Sequence, residues 1–188
     1  VDGTVGACGD DGVTQMCAEG DTAPVCTPCP PLKFLFTLSQ DSLVGTTGDD
    51  VFNAPLIFNP GTGSQIPSLQ TGDSANGLAG ADTLNATLNV SAVPTSLAGI
   101  ETQNYTVFVA STLSAGGISG VDSINTVNST ADFTVTGLQE LVDFGISGVT
   151  DGAVDMSLSF GTAASTSGST DTITGTISGS TFGDVSIT

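Results

Sequence analysis

The chain has 188 residues and one basic side chain, Lys33, against nineteen acidic ones, for a formal charge of −18. Nothing in it can neutralise phosphate, which excludes nucleic acid and anionic membrane surfaces as partners and leaves a divalent cation as the charged partner such a surface can use. Charged residues are only 11% and apolar residues 38% of the chain, so the imbalance comes from missing Lys and Arg and is not that of a disordered acidic tail.

Residues 1–31 differ from the rest. They contain all four cysteines, Cys8, Cys17, Cys26 and Cys29, and little apolar content, which predicts a small N-terminal arm or cap cross-linked by two disulfides in place of a core. Three pairings are open. A C-x2-C redox unit at Cys26 and Cys29 would open a helix, and Pro30 and Pro31 argue against that. A four-cysteine zinc site would need two C-x2-C knuckles, which Cys8 and Cys17 do not provide. Beyond a boundary near Pro31, residues 32–188 read as a repetitive β domain. The absence of a leader-like segment at Val1 leads us to expect either a removed leader or a piece of a longer chain, and the mid-strand ending at Thr188 favours the piece.

Val, Ile, Thr, Ser, Asn and Gly dominate, a composition that suits pleated surfaces and tight corners. The apolar run 32–38 comes first, read either as the domain's own first strand or as a strand inserted into a neighbouring copy. Alternating strands follow at 83–90, 103–109, 132–136, 154–160 and 171–178. Residues 41–53 align without gaps to residues 73–85 in the frame D-S-x-x-G-x-x-G-x-D-x-Φ-N, where Φ is apolar, at an offset of 32 residues. Weaker echoes run from Asp122 to Asn125 and Ala131 to Phe133, and between Ala98-Gly-Ile-Glu101 and Thr136-Gly-Leu-Gln139. Repeats of this kind predict an all-β fold, a β-solenoid (parallel β-helix-like) with stacked rungs, with a β-sandwich as the alternative.

The centre of each copy is a candidate metal loop: Gly45, Gly48 and Asp50 in the first, Gly77, Gly80 and Asp82 in the second. Glycines let a backbone turn so that carbonyl oxygens point at an ion, and the Asp adds a carboxylate. Calcium takes six to eight oxygens, so one loop supplies half a site. The other half would come from a stacked loop or from Asp41, Asp49 and Asp73. The competing reading is a β-turn in which Asp and Gly serve the turn alone.

The two loops resemble the calcium-binding nonapeptide of RTX proteins, G-G-x-G-x-D-x-Φ-x, with Thr46 and Leu78 in place of the second glycine. Residues 37–188 as a whole, and residues 71–85 and 96–104 in particular, are similar to the repeats of S-layer-type bacterial surface proteins and related adhesins. The resemblance implies calcium, a cell-surface location and assembly with copies of the same chain. It does not extend to the cysteine-containing arm.

Histidine and tryptophan are absent. That removes Ser-His-Asp and Cys-His catalysis, and the Gly-x-x-Gly pairs lead into strands where a phosphate loop would lead into a helix. No enzyme is expected. The expectation is an extracellular structural subunit of a bacterial surface layer, filament or sheath, assembling through strand edges and Ca2+, with cell-surface glycans as a further partner. The alternatives are a calcium-stabilised adhesin stalk or ligand-binding module, and an ice-binding solenoid suggested by the hydroxyl row Thr172, Thr174, Thr176, Ser178 and Ser180.

Overall fold

The computed structural model describes residues 31–162, 164 and 172–188. Cys8, Cys17, Cys26 and Cys29, and the expected arm up to residue 30, lie outside the described residues. Those described contain no helix and seventeen short strands. In chain order these are β1 (Lys33–Leu35), β2 (Ser42–Val44), β3 (Val51–Ala54), β4 (Leu56–Asn59), β5 (Ser64–Pro67) and β6 (Ser74–Asn76). Next come β7 (Thr83–Leu88), β8 (Ser96–Ala98), β9 (Thr102–Val107), β10 (Ser111–Ser114), β11 (Ile118–Ser119) and β12 (Ser123–Val127). The last five are β13 (Phe133–Leu138), β14 (Asp143–Ser147), β15 (Met156–Phe160), β16 (Gly175–Ser178) and β17 (Val185–Ile187).

They form a seven-stranded sheet (β1-β3-β7-β9-β12-β14-β16), two four-stranded sheets (β2-β6-β8-β11 and β10-β13-β15-β17) and the hairpin β4-β5. Within the three larger sheets every strand pair is parallel; only the hairpin is antiparallel. From β8 to β13 the chain visits the second, first and third sheets in turn, twice over, and each circuit lays its strands beside those of the one before. The arrangement is solenoid-like. A sandwich would be built from antiparallel sheets, and among the described strands only β4 and β5 pair that way.

Alternation sets the faces. Along β9, Gln103, Tyr105 and Val107 point inward and are buried, while Thr102, Asn104 and Thr106 point outward. In-register inward positions make rows: Phe52 and Leu84 in the first sheet, Leu113, Val135 and Leu158 in the third, all with 0% exposure. Rows from the three sheets meet in one apolar core. On the outer face Asn85, Asn104 and Asn125 stack in register, Asn104 Nδ2 donating to Asn85 Oδ1 (3.1 Å) and Asn125 Nδ2 to Asn104 Oδ1 (3.0 Å).

Two open readings are decided and a third shifts. The run at 32–38 supplies only β1, which pairs with this chain's own β3; Phe34 stacks on Phe52 at 4.8 Å, and Phe36 is buried. It is the domain's own first strand. The 32-residue offset is one circuit, lengthened by the β4–β5 hairpin, because Val51 lies beside Thr83 and Ser42 beside Ser74. The weak echoes also shift register. Asp122 does not match Asp41 but follows Asp50, Asp82 and Glu101 in the corner before the first sheet. Gly99, at φ +55°, is followed by Gly120, at φ +67°, and Gly137 lies in the third sheet.

Candidate functional site

The two G-x-x-G-x-D loops form the corner between the second and first sheets, one directly above the other. A corner breaks the regular ladder and leaves backbone N–H groups that need an acceptor. Here the motif aspartates supply it. Asp50 Oδ1 accepts the amide of Leu32 (2.7 Å), and Asp50 Oδ2 accepts both the amide and the hydroxyl of Thr46 in its own loop. One circuit on, Asp82 Oδ1 accepts the amide of Asp50 (2.7 Å), and one circuit further Glu101 Oε2 accepts the amide of Asp82 (2.7 Å). Asp50 and Asp82 are fully buried.

The glycines make room for this. A Cβ on Gly45 would sit 2.7 Å from Asp50 Oδ2 and 2.6 Å from the Gly77 carbonyl oxygen. A Cβ on Gly77 would overlap both Asp82 Oδ2 and the Gly99 carbonyl oxygen. Thus Gly45 and Gly77 are needed because a carboxylate folds back across them. Gly80 is needed for its φ of +132° and for its closeness to the Gly48 carbonyl. The Gly45 and Gly77 amides pair with the carbonyls of Asn76 and Ala98, and the Gly48 amide donates to Thr46 Oγ1.

The remaining candidates lie near these loops but serve other amides. Asp49 Oδ1 accepts the amide of Ala81 (2.8 Å). Asp73, fully buried in the corner before the second sheet, accepts Asp41 N (2.9 Å) on Oδ1 and Gln70 N (2.7 Å) on Oδ2. Asp41 accepts the amide and hydroxyl of Thr37.

The second loop differs from the first in one respect. Leu78 stands where Thr46 does; it has no hydroxyl, and its amide, at φ +75°, goes to Asn76 Oδ1. Asp82 Oδ2 is therefore buried without a hydrogen-bond partner. Burial pushes the Asp82 carboxyl up from 3.8 to about 6, opposed by the hydrogen bond from Asp50, with Glu101, Asp50 and Asp49 raising it further.

Calcium needs six to eight oxygens converging on one point, with carboxylates free to supply its charge. Asp50 and Asp73 have both oxygens engaged by N–H or O–H donors, and Asp82 has one oxygen left, turned against Gly77. The donor set of these loops does not fit a calcium site shared between stacked turns. Among the described residues no group of three or more acidic, His or Cys side chains is arranged around an ion-sized space.

Sequence reasoning missed the acids outside the motif. Asp132 Oδ1 accepts Asp155 N (3.0 Å), and Asp155 Oδ1 accepts Asp184 N (2.7 Å), in the corner before the third sheet. Asp143 Oδ1 accepts Thr174 N (2.7 Å), and Glu140 Oε1 accepts Val121 N (3.0 Å). A D/E-x-x-N tetrad shared with Asp50 and Asp82 was the available signal for Glu101 and Asp122, while Asp132, Glu140, Asp143 and Asp155 carry no such tetrad. Of the hydroxyl row, only Thr176 and Ser178 lie in β16, and Thr176 has Gly145 beside it. A shallow trough on the outer face of the first sheet is lined by Asn53, Asn85, Asn104, Thr87 and Thr106. No family model, no curated protein and no solved structure matches this chain.

Proposed function

We propose that the chain is a β-solenoid segment of an extracellular structural protein, a subunit of a surface layer, filament or sheath that assembles with copies of itself through its strand edges. One observation carries the reading. The inward rows continue into the last circuit, where nothing among the described residues covers them. Ile177 follows Ile146 in register, and its exposure is 52% against 2%; Ile187 follows Leu158 at 45% against 0%. Among the described residues β16 and β17 each pair on one side only. We take this layer, bordered by backbone without a strand partner among the described residues, as a surface on which a second copy can add a parallel circuit. Head-to-tail addition of such ends gives an open filament.

The test is sedimentation and negative-stain microscopy of the full chain beside Ile177→Lys/Ile187→Lys. Wild type should associate end to end with rising concentration. The double variant should stay monomeric with an unchanged circular dichroism spectrum, since both side chains are already half in solvent. A wild-type chain that remains monomeric throughout would leave an isolated stalk or binding module as the better reading.

A further inference from the structure

Loops of the G-x-x-G-x-D pattern invite an ion, yet here the same bond recurs where the pattern is absent. Glu101, Asp132, Asp143 and Asp155 belong to no Gly-x-x-Gly loop, and each accepts the amide of the residue in register with it on the neighbouring circuit. Asp50 and Asp82 do the same inside the loops. We propose that these carboxylates are themselves the cross-links between circuits, filling the structural place of an ion, so that the corners they close neither bind nor require calcium.

The chemistry explains why acids are used. An orphan corner amide needs an acceptor, and a carboxylate gives the strongest one; five of the six bonds are 2.7 Å, the short distance of a charge-assisted bond, and the one to Asp132 is 3.0 Å. Lys and Arg have no acceptor to offer. The replacement of Asp by Glu101 in register with Asp82 fits an amide acceptor, because a longer side chain can curl back to the same N–H. The reversal of direction at Asp132, Asp143 and Asp155, which accept from the following circuit, also fits, since an acceptor serves either neighbour.

The experiment follows thermal unfolding of the full chain in EGTA and in CaCl2 at matched ionic strength, with calorimetric titration of CaCl2. The midpoint should be the same in both, with no binding heat. Asp50→Asn, which points an amide donor at N–H groups, should lower the midpoint equally in both. Should that variant fail to fold, Asp132→Ala lies on an exposed corner. There, hydrogen exchange of the Asp155 amide should quicken by about tenfold, the worth of a charge-assisted hydrogen bond, while distant amides keep their protection. A lower midpoint in EGTA, a stoichiometric calcium isotherm, or unchanged exchange at Asp155 would each overturn the proposal.

Discussion

Asp50 and Asp82 occupy the same place in successive circuits, but only Asp50 has donors for both of its oxygens. Burial raises the Asp82 carboxyl to about 6 from 3.8, so the folded chain holds that proton more tightly than the unfolded one. The group's contribution to stability is therefore complete below the unfolded value and is lost as pH climbs through the folded one. Asp82→Asn keeps Oδ1 as the acceptor for Asp50 N and removes the buried charge. Its melting midpoint is expected to rise at about pH 7.5, by a free energy on the order of 2 kcal/mol, and to show no gain near about pH 4. A second comparison isolates the space that glycine leaves. Gly77→Ala drives a methyl into the Gly99 carbonyl and the Asp82 carboxylate, whereas Gly116 has nothing within 4 Å. Urea unfolding should show a loss of about 3 kcal/mol or more for the first and a change within about 0.5 kcal/mol for the second.

At the scale of elements, β9 carries an inconsistency that the core tolerates by pairing. Gln103 occupies the inward row between Leu84 and Ile124, and its Oε1 accepts the phenol of Tyr105 at 2.8 Å, both side chains being fully buried. Burial holds the Tyr105 phenol well above its ordinary pKa, so it stays a donor. Tyr105→Phe strands the glutamine oxygen and should cost about 1–3 kcal/mol, while adding Gln103→Leu removes the orphan and should recover most of that. A thermal double-mutant cycle reads the coupling. The β4–β5 hairpin makes a different prediction. Its base closes through Ser68 N to Pro55 O at 3.0 Å, and its tip exposes Phe58. Joining Pro55 to Ser68 through a short turn should therefore preserve cooperative unfolding and the circular dichroism spectrum. This hairpin also explains which elements were legible beforehand. Long alternating strands such as β7, β9 and β15 announce themselves by period two, whereas β2, β6, β8 and β11 have two or three residues, too few to show a period. The hairpin stretches one circuit to 32 residues and hides its equivalence to the later, shorter ones. The acids and glycines of the corners were visible as a motif. The direction of each carboxylate was not, because ion binding and amide capping call for the same residue types at the same turn.

For the whole molecule, charge and edge act against each other. An end-to-end stack repeats a chain of net charge −18 along its length, and self-repulsion of that size disfavours association at low ionic strength. The attractive surfaces, the uncovered Ile177 and Ile187 beside unpaired backbone, are short-ranged and nearly indifferent to salt. Screening shortens the reach of the repulsion from about 30 Å at 0.01 M to about 8 Å at 0.15 M. Association is therefore expected to strengthen as NaCl rises through that interval, and sedimentation velocity at fixed protein concentration measures it. The same series in CaCl2, matched to NaCl in ionic strength, separates two origins of the effect. Equal association in the two salts means that screening suffices and the corner carboxylates stay engaged with their amides. A marked excess in CaCl2 means that calcium bridges acids between subunits, and the contact between copies then has a salt-specific component which the strand edges alone do not supply.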